Sequence, residues 1–146
     1  MSGGEIGLRT VAHLRVEVGA PLSLGQLNGL ERRMVPILGG TVEIQNFRGI
    51  IIPGGSDIQT VHADGTVDLV ARYALDLGEA GKVLLENTGI RRGPPTSGIA
   101  DIRPYFRGVM RFQAPQGSLD WLNRTVFVTS GHREGAVVHL QVAEVL

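Results

Sequence analysis

The chain has 146 residues, with 14 basic and 14 acidic side chains cancelling to a formal net charge of zero and a pI near 6.9. That length suits one domain, and 42% hydrophobic residues with a mean hydropathy of +0.10 suffice for a packed core. Neutral charge removes the electrostatic footprint of a nucleic-acid binder, 5% aromatics leave few stacking platforms, and zero cysteines exclude disulfides, thiolate metal sites and a cysteine nucleophile.

The N-terminus, Met1-Ser2-Gly3-Gly4-Glu5, lacks the basic region and apolar run of a signal peptide. No stretch approaches the roughly 18 apolar residues of a membrane helix, so no membrane contact and a cytoplasmic location are expected. Residues 1–9 are expected to be a flexible segment, and residues 10–146 one domain. Of the 14 basic residues, 13 are arginine and only Lys82 is lysine, which disfavours Schiff-base chemistry and favours recognition of carboxylates, phosphates or enolates.

Along the chain, 21 glycines and 7 prolines punctuate short runs rich in valine, isoleucine and threonine with a period of two. The predicted strands are Thr10–Val18, Leu27–Ile37, Thr41–Ile52, Asp57–His62, Thr66–Leu77, Lys82–Arg91, Tyr105–Phe112, Thr125–Thr129 and Ala136–Val145. Asp64-Gly65 marks a hairpin and Glu79-Ala80-Gly81 the next turn, so the strands around them form a meander. The one helical turn expected lies at Ser118–Leu122, with Ser118 as its cap. This pattern predicts an all-β fold: a single antiparallel β-barrel of about nine or ten strands, wide enough for a small molecule inside. The irregular stretch from Arg91 to Asp101, stiffened by Pro94 and Pro95, fits either a rim loop at the barrel mouth or a subunit contact.

Alternation assigns faces. In the strand from Thr66, the apolar face carries Val67, Leu69, Ala71, Tyr73, Leu75 and Leu77, opposite Thr66, Asp68, Arg72 and Asp76. Tyr73 is therefore inward, where its hydroxyl needs a partner. In the next strand Val83 and Leu85 share parity with Asn87, Gly89 and Arg91. A strand that begins apolar and ends with an amide and a guanidinium on one face suits a pocket, although Arg91 could instead leave the barrel and form an ion pair at its lip.

Pro53-Gly54-Gly55-Ser56-Asp57 reads as a tight bend or bulge, after which Asp57 opens a new strand with Gln59 on its face. It lacks the lysine and following helix of a phosphate loop, and Asp57 could serve only to bond its own turn. His13, His62, His132 and His139 are scattered without the spacing of a metal site, so no metal is expected. Ser118 and Ser130 have no nucleophile-elbow context. Trp121 is the sole tryptophan, suited to core, interface or the wall of a ligand site.

Several segments in order resemble the domain-of-unknown-function family 3237, also called uncharacterised protein family 0311. They are Gly39-Gly40, Pro53-Gly54-Gly55-Ser56-Asp57-Ile58-Gln59, Asp64-Gly65, Ala71-Arg72-Tyr73 and Asn87-Thr88-Gly89-Ile90-Arg91, then Tyr105-Phe106-Arg107, Phe112, Trp121-Leu122-Asn123 and Val126-Phe127-Val128. Ile58 stands where the family often has tryptophan, and Gln113 where a glutamate is common, which removes one carboxylate. The resemblance implies an antiparallel barrel with an internal cavity that commonly self-associates.

With that support, Asp57 and Arg91 are the expected catalytic pair: Asp57 transfers a proton while Arg91 and Asn87 hold a phenolate or enolate oxygen. Gln59, Tyr73, Asn87, Tyr105, Trp121 and Asn123 are expected to bind substrate. The expected function is cofactor-independent acid–base catalysis (cyclisation, hydration or hydroalkoxylation, or isomerisation) on a small, partly aromatic or polyketide-like molecule. A non-catalytic carrier or sensor in the same barrel is the alternative, and a purely structural oligomer a third. Isoleucines on both faces of Ile50-Ile51-Ile52 predict a homodimer or higher even homo-oligomer.

Overall fold

A computed structural model describes residues 4–93 and 104–146. It contains nine strands: β1 (Leu8–Val18), β2 (Leu22–Leu27), β3 (Leu30–Ile44), β4 (Phe47–Val61), β5 (Val67–Asp76), β6 (Lys82–Arg92), β7 (Tyr105–Gln113), β8 (Phe127–Glu134) and β9 (Val137–Val145). Each strand from β3 to β9 pairs antiparallel with the next, and β1 pairs with both β9 and β3. Eight strands thus close into a barrel, and closure removes the open edges that a flat sheet would expose. β2 lies outside that ring, hydrogen-bonded to the first half of β3.

The alternation reads directly into burial. β5 turns Val67, Leu69, Ala71, Tyr73 and Leu75 into the core, and β6 adds Val83, Leu85 and Asn87. β1 contributes Ala12, Leu14, Val16 and Val18 to the same core. Asp64 forms the expected hairpin turn, its carboxylate accepting the Thr66 amide at 2.9 Å.

The structure differs from the sequence expectation mainly in β2 to β4. The predicted strand Leu27–Ile37 is interrupted by a hairpin at Asn28-Gly29, whose φ values of 54° and 79° are those of a two-residue turn that favours this dipeptide. The predicted strand Thr41–Ile52 turns back at Gln45-Asn46. Gly39-Gly40, expected between strands, instead forms a bulge inside β3: inward parity passes from Val35 and Ile37 to Val42 and Ile44. Gly40 has φ 136°, and a Cβ there would lie 2.0 Å from the Arg15 carbonyl oxygen, so close strand approach demands glycine.

Pro53-Gly54-Gly55 is also a bulge, and Asp57 sits within β4 rather than opening a new strand. Pairing with β5 passes from Ile52–Ala74 to Ser56–Arg72, which gives β4 two extra residues and preserves parity. Ile51 and Gln59 therefore both face the interior. β1 begins at Leu8, two residues before its predicted start, because Leu8 and Arg9 pair with Val145 and Glu144.

The β7–β8 connection closes one end of the barrel. Its 3-10 helix spans Asp120–Arg124 and has no side-chain cap, so Ser118 does not play its expected part. Leu119, Leu122 and Phe127 are wholly buried, and Phe112 meets Phe127 edge to face at 5.0 Å. Among the described residues no helix is long and apolar enough to cross a membrane.

Candidate functional site

At the opposite end the inward row changes character. After Val83 and Leu85, β6 presents Asn87 and then Arg91; β4 presents Asp57 and Gln59 across Ala71 and Leu69 of β5. Together with Tyr73 these residues line one cavity, walled by Val16, Val35, Phe106 and Leu140 among others. The structure thus brings together five of the sequence-predicted site residues: Asp57, Gln59, Tyr73, Asn87 and Arg91. The inner cavity is narrow, about 40 Å³, which is room for a few water molecules. Arg91, Phe106 and Arg133 also border a wider cleft of about 640 Å³ at the mouth, beside Pro104, Gly131, His132 and Glu134.

A relay of hydrogen bonds holds the carboxylate. Gln59 Nε2 donates to Asp57 Oδ2 at 2.8 Å, and Arg33 Nη2 donates to Gln59 Oε1 at 2.8 Å. Arg33 therefore fixes the amide's orientation: with its oxygen taken, Gln59 turns its NH2 group toward Asp57. The other carboxylate oxygen, Oδ1, and the Tyr73 hydroxyl are both buried without a partner. Unpaired buried polar atoms are costly, and two that face one cavity mark a place where a ligand or water completes the bonding.

Electrostatics follows from this burial. Loss of water raises the Asp57 pKa above the ordinary value of 3.8, and that outweighs the Gln59 hydrogen bond and the charges of Arg91 and Arg33, which lower it. Tyr73 is pushed far above a normal phenol, first by burial and then by the Asp57 charge, so it stays a neutral donor. Arg91 is lowered by burial and by Arg33, with Asp57 opposing and Arg133 adding to the fall. Asn87 Oδ1 accepts a hydrogen bond from Thr129 Oγ1 at 3.1 Å, which fixes the side chain across β6 and β8.

Three predicted site residues lie elsewhere. Tyr105 is 41% exposed on the outer side of β7, with the Arg92 guanidinium 4.4 Å over its ring. Trp121 packs 5.8 Å from Phe127 in the plug, toward the end of the barrel away from Arg91. Asn123 clasps the chain there, accepting from the Ala114 amide at 2.7 Å and donating to the Ala114 carbonyl at 2.9 Å. Both are parts of the closure. The rim segment expected between Arg91 and Asp101 lies, from residue 94 onward, outside the described residues.

Sequence reading missed Arg33, Phe106 and Arg133. The signals were present: Arg33 shares parity with Val35 and Ile37, and Phe127, Thr129, Gly131 and Arg133 alternate along β8. Ending that strand at Thr129 hid the last of them.

Comparison with known proteins agrees with this architecture. Residues 6–145 match the family described as protein of unknown function DUF3237. A UPF0311 protein of Clostridium acetobutylicum is 33% identical over 88% of this chain and 87% of its own. One from Rhodopseudomonas palustris is 31% identical over 91% and 92%. A solved beta-barrel-like protein from Acinetobacter baumannii superposes with TM-score 0.89 at 28% identity, covering 99% of both chains. An enzyme from Penicillium herquei reaches TM-score 0.69 at 18% identity over 97% of this chain and 98% of that one, a likeness of fold alone. A match across nearly the whole chain, with the same barrel, makes this protein a member of the DUF3237 (UPF0311) family.

Proposed function

We propose that the barrel is a cofactor-independent acid–base catalyst, acting on a small, partly aromatic or polyketide-like molecule that carries an ionisable oxygen. The observation that carries this reading is Asp57: a half-buried carboxyl with one oxygen bonded and the other buried without a partner, in a cavity shared with Arg91 and Tyr73. Its raised pKa moves it toward the range in which a group both takes and gives a proton near neutrality. Arg91 and the Tyr73 hydroxyl supply a charge and a neutral donor for a phenolate or enolate oxygen. Addition of a hydroxyl across a double bond then balances without an oxidant: the O–H bond breaks, a C–O bond forms, and Asp57 carries the proton to the neighbouring carbon. The narrow inner cavity takes the reacting oxygen, and the mouth cleft takes the bulk of the molecule.

The supporting test is deuterium exchange. In deuterated buffer the protein should speed exchange at the carbon beside the carbonyl of an enolisable aryl ketone such as 2-tetralone, followed by proton NMR. Exchange at the uncatalysed rate, with saturable binding of the same ketone, would favour the carrier or sensor instead. The expected partner besides substrate is a second copy of the chain. Ile51 faces the core but Ile50 is 53% exposed on the outer face, and light scattering across a dilution series should give an even multiple of the monomer mass.

A further inference from the structure

We propose that the outer face of the β8–β9 hairpin is a binding site for one divalent transition-metal ion of the zinc class, held by His132, Glu134 and His139. His132 and Glu134 also border the mouth cleft, but the metal reading stands on the outer-face register of the hairpin and not on the acid–base proposal.

The register builds the cluster. His132 and His139 are direct cross-strand partners, and Glu134 is two residues along from His132, hence on the same face. The two imidazoles stack with centroids 4.7 Å apart and planes 9° from parallel. Their Nε2 atoms converge on one carboxylate: His132 Nε2 lies 3.3 Å from Glu134 Oε1 and His139 Nε2 3.9 Å from Glu134 Oε2. All three potential ligand atoms fall within 4.8 Å of one another. A tetrahedral ion with bonds of about 2.0–2.2 Å holds its donors a little over 3 Å apart, so small side-chain rotations suffice.

The chemistry of the donors selects the ion. Two imidazoles and one carboxylate suit zinc, copper(II) or nickel(II), whereas calcium and magnesium prefer oxygen donors throughout. Three protein ligands leave a coordination position for water or a small anion. The ion would tie β8 to β9 across their turn, and the inward neighbours Arg133, Val138 and Leu140 line the inner cavity. His13, Arg15, Glu43 and Arg48 border the groove beside the two histidines. Of these, Arg15 is the register partner of His139 and opposes the ion's charge, while Glu43 favours it. Sequence spacing concealed the site because its ligands meet only through the hairpin register.

The test uses untagged full-length protein, stripped with chelator and titrated with zinc chloride in a calorimeter, with the histidine ring nitrogens followed by NMR. The expected result is one equivalent of zinc and shifted signals from two histidines. His132→Ala and His139→Ala should each weaken binding at least about tenfold, Glu134→Gln should weaken it less, and His62→Ala should leave it unchanged. Absence of binding at 100-fold excess zinc, or undiminished binding in the His132→Ala/His139→Ala double variant, would overturn the proposal. The ring-nitrogen shifts of the unaltered protein decide the matter even if a variant folds poorly.

Discussion

The two ends of this barrel are made by the same strands under the same alternation, yet they are filled in opposite ways. Where β7 runs toward the 3-10 helix, inward positions hold Phe112, Phe127, Leu119 and Leu122, packed to full burial. Where β6 leaves the barrel, the inward row holds Asn87 and Arg91 opposite Asp57 and Gln59. Burial of a charged group costs several kcal/mol unless partners compensate, while a buried aromatic contributes stability. The plugged end therefore supplies the stability that lets the open end hold a carboxyl with a bare oxygen.

The largest effect should come from breaking the plug. Phe127→Ala removes a fully buried ring and its partner contact with Phe112, and should cost about 3–5 kcal/mol in a denaturant titration. If the ends differ as described, the equivalent truncation at the cavity, Phe106→Ala, costs less, because space already lies beside that ring. Asn123→Ala comes next: it frees both polar groups of Ala114, for about 1–2 kcal/mol lost. That loss should come without a change in ligand affinity, since Asn123 belongs to the closure.

Tyr73→Phe probes the open end with the opposite sign. The hydroxyl is buried and unpartnered, so its removal should leave stability unchanged or raise it by up to about 1 kcal/mol, measured by thermal melting. A loss above about 2 kcal/mol would mean that the hydroxyl is bonded after all.

The pH dependence sharpens the same contrast. Asp57 has its folded pKa raised above the unfolded value, so the folded state binds this proton more tightly. Its contribution is most favourable below about pH 3.8 and is lost as pH rises through the raised folded value. Asp57→Asn should therefore be stabilised relative to the parent near neutrality, by an amount that shrinks toward about pH 4 in paired urea titrations. An advantage that grows on acidification would mean that the charged form is favoured in the fold.

How much of this was legible in the sequence follows from where alternation runs unbroken. β5 and β6 contain no bulge, and their parity alone turned Tyr73, Asn87 and Arg91 inward. β3 and β4 carry bulges at Gly39-Gly40 and Pro53-Gly54-Gly55, so counting by twos across them failed to place strand ends, and the Asn28-Gly29 hairpin passed unread. Trp121 and Asn123 lie in a connection with no period to orient them, and their residue types suited a ligand as well as a plug. The meeting of His132 with His139 depends on pairing register, which alternation within one strand does not encode.

The central claim is that the carboxyl at the open end moves a proton, and Asp57→Asn measured against 2-tetralone exchange tests it most directly. Asparagine keeps the shape and can still accept the Gln59 hydrogen bond. If the account is right, the variant melts no lower than the parent near neutrality, binds the ketone with little change, and loses about 10²–10⁴ of the exchange rate at saturation. An exchange rate at saturation that survives in a folded Asp57→Asn protein would contradict it.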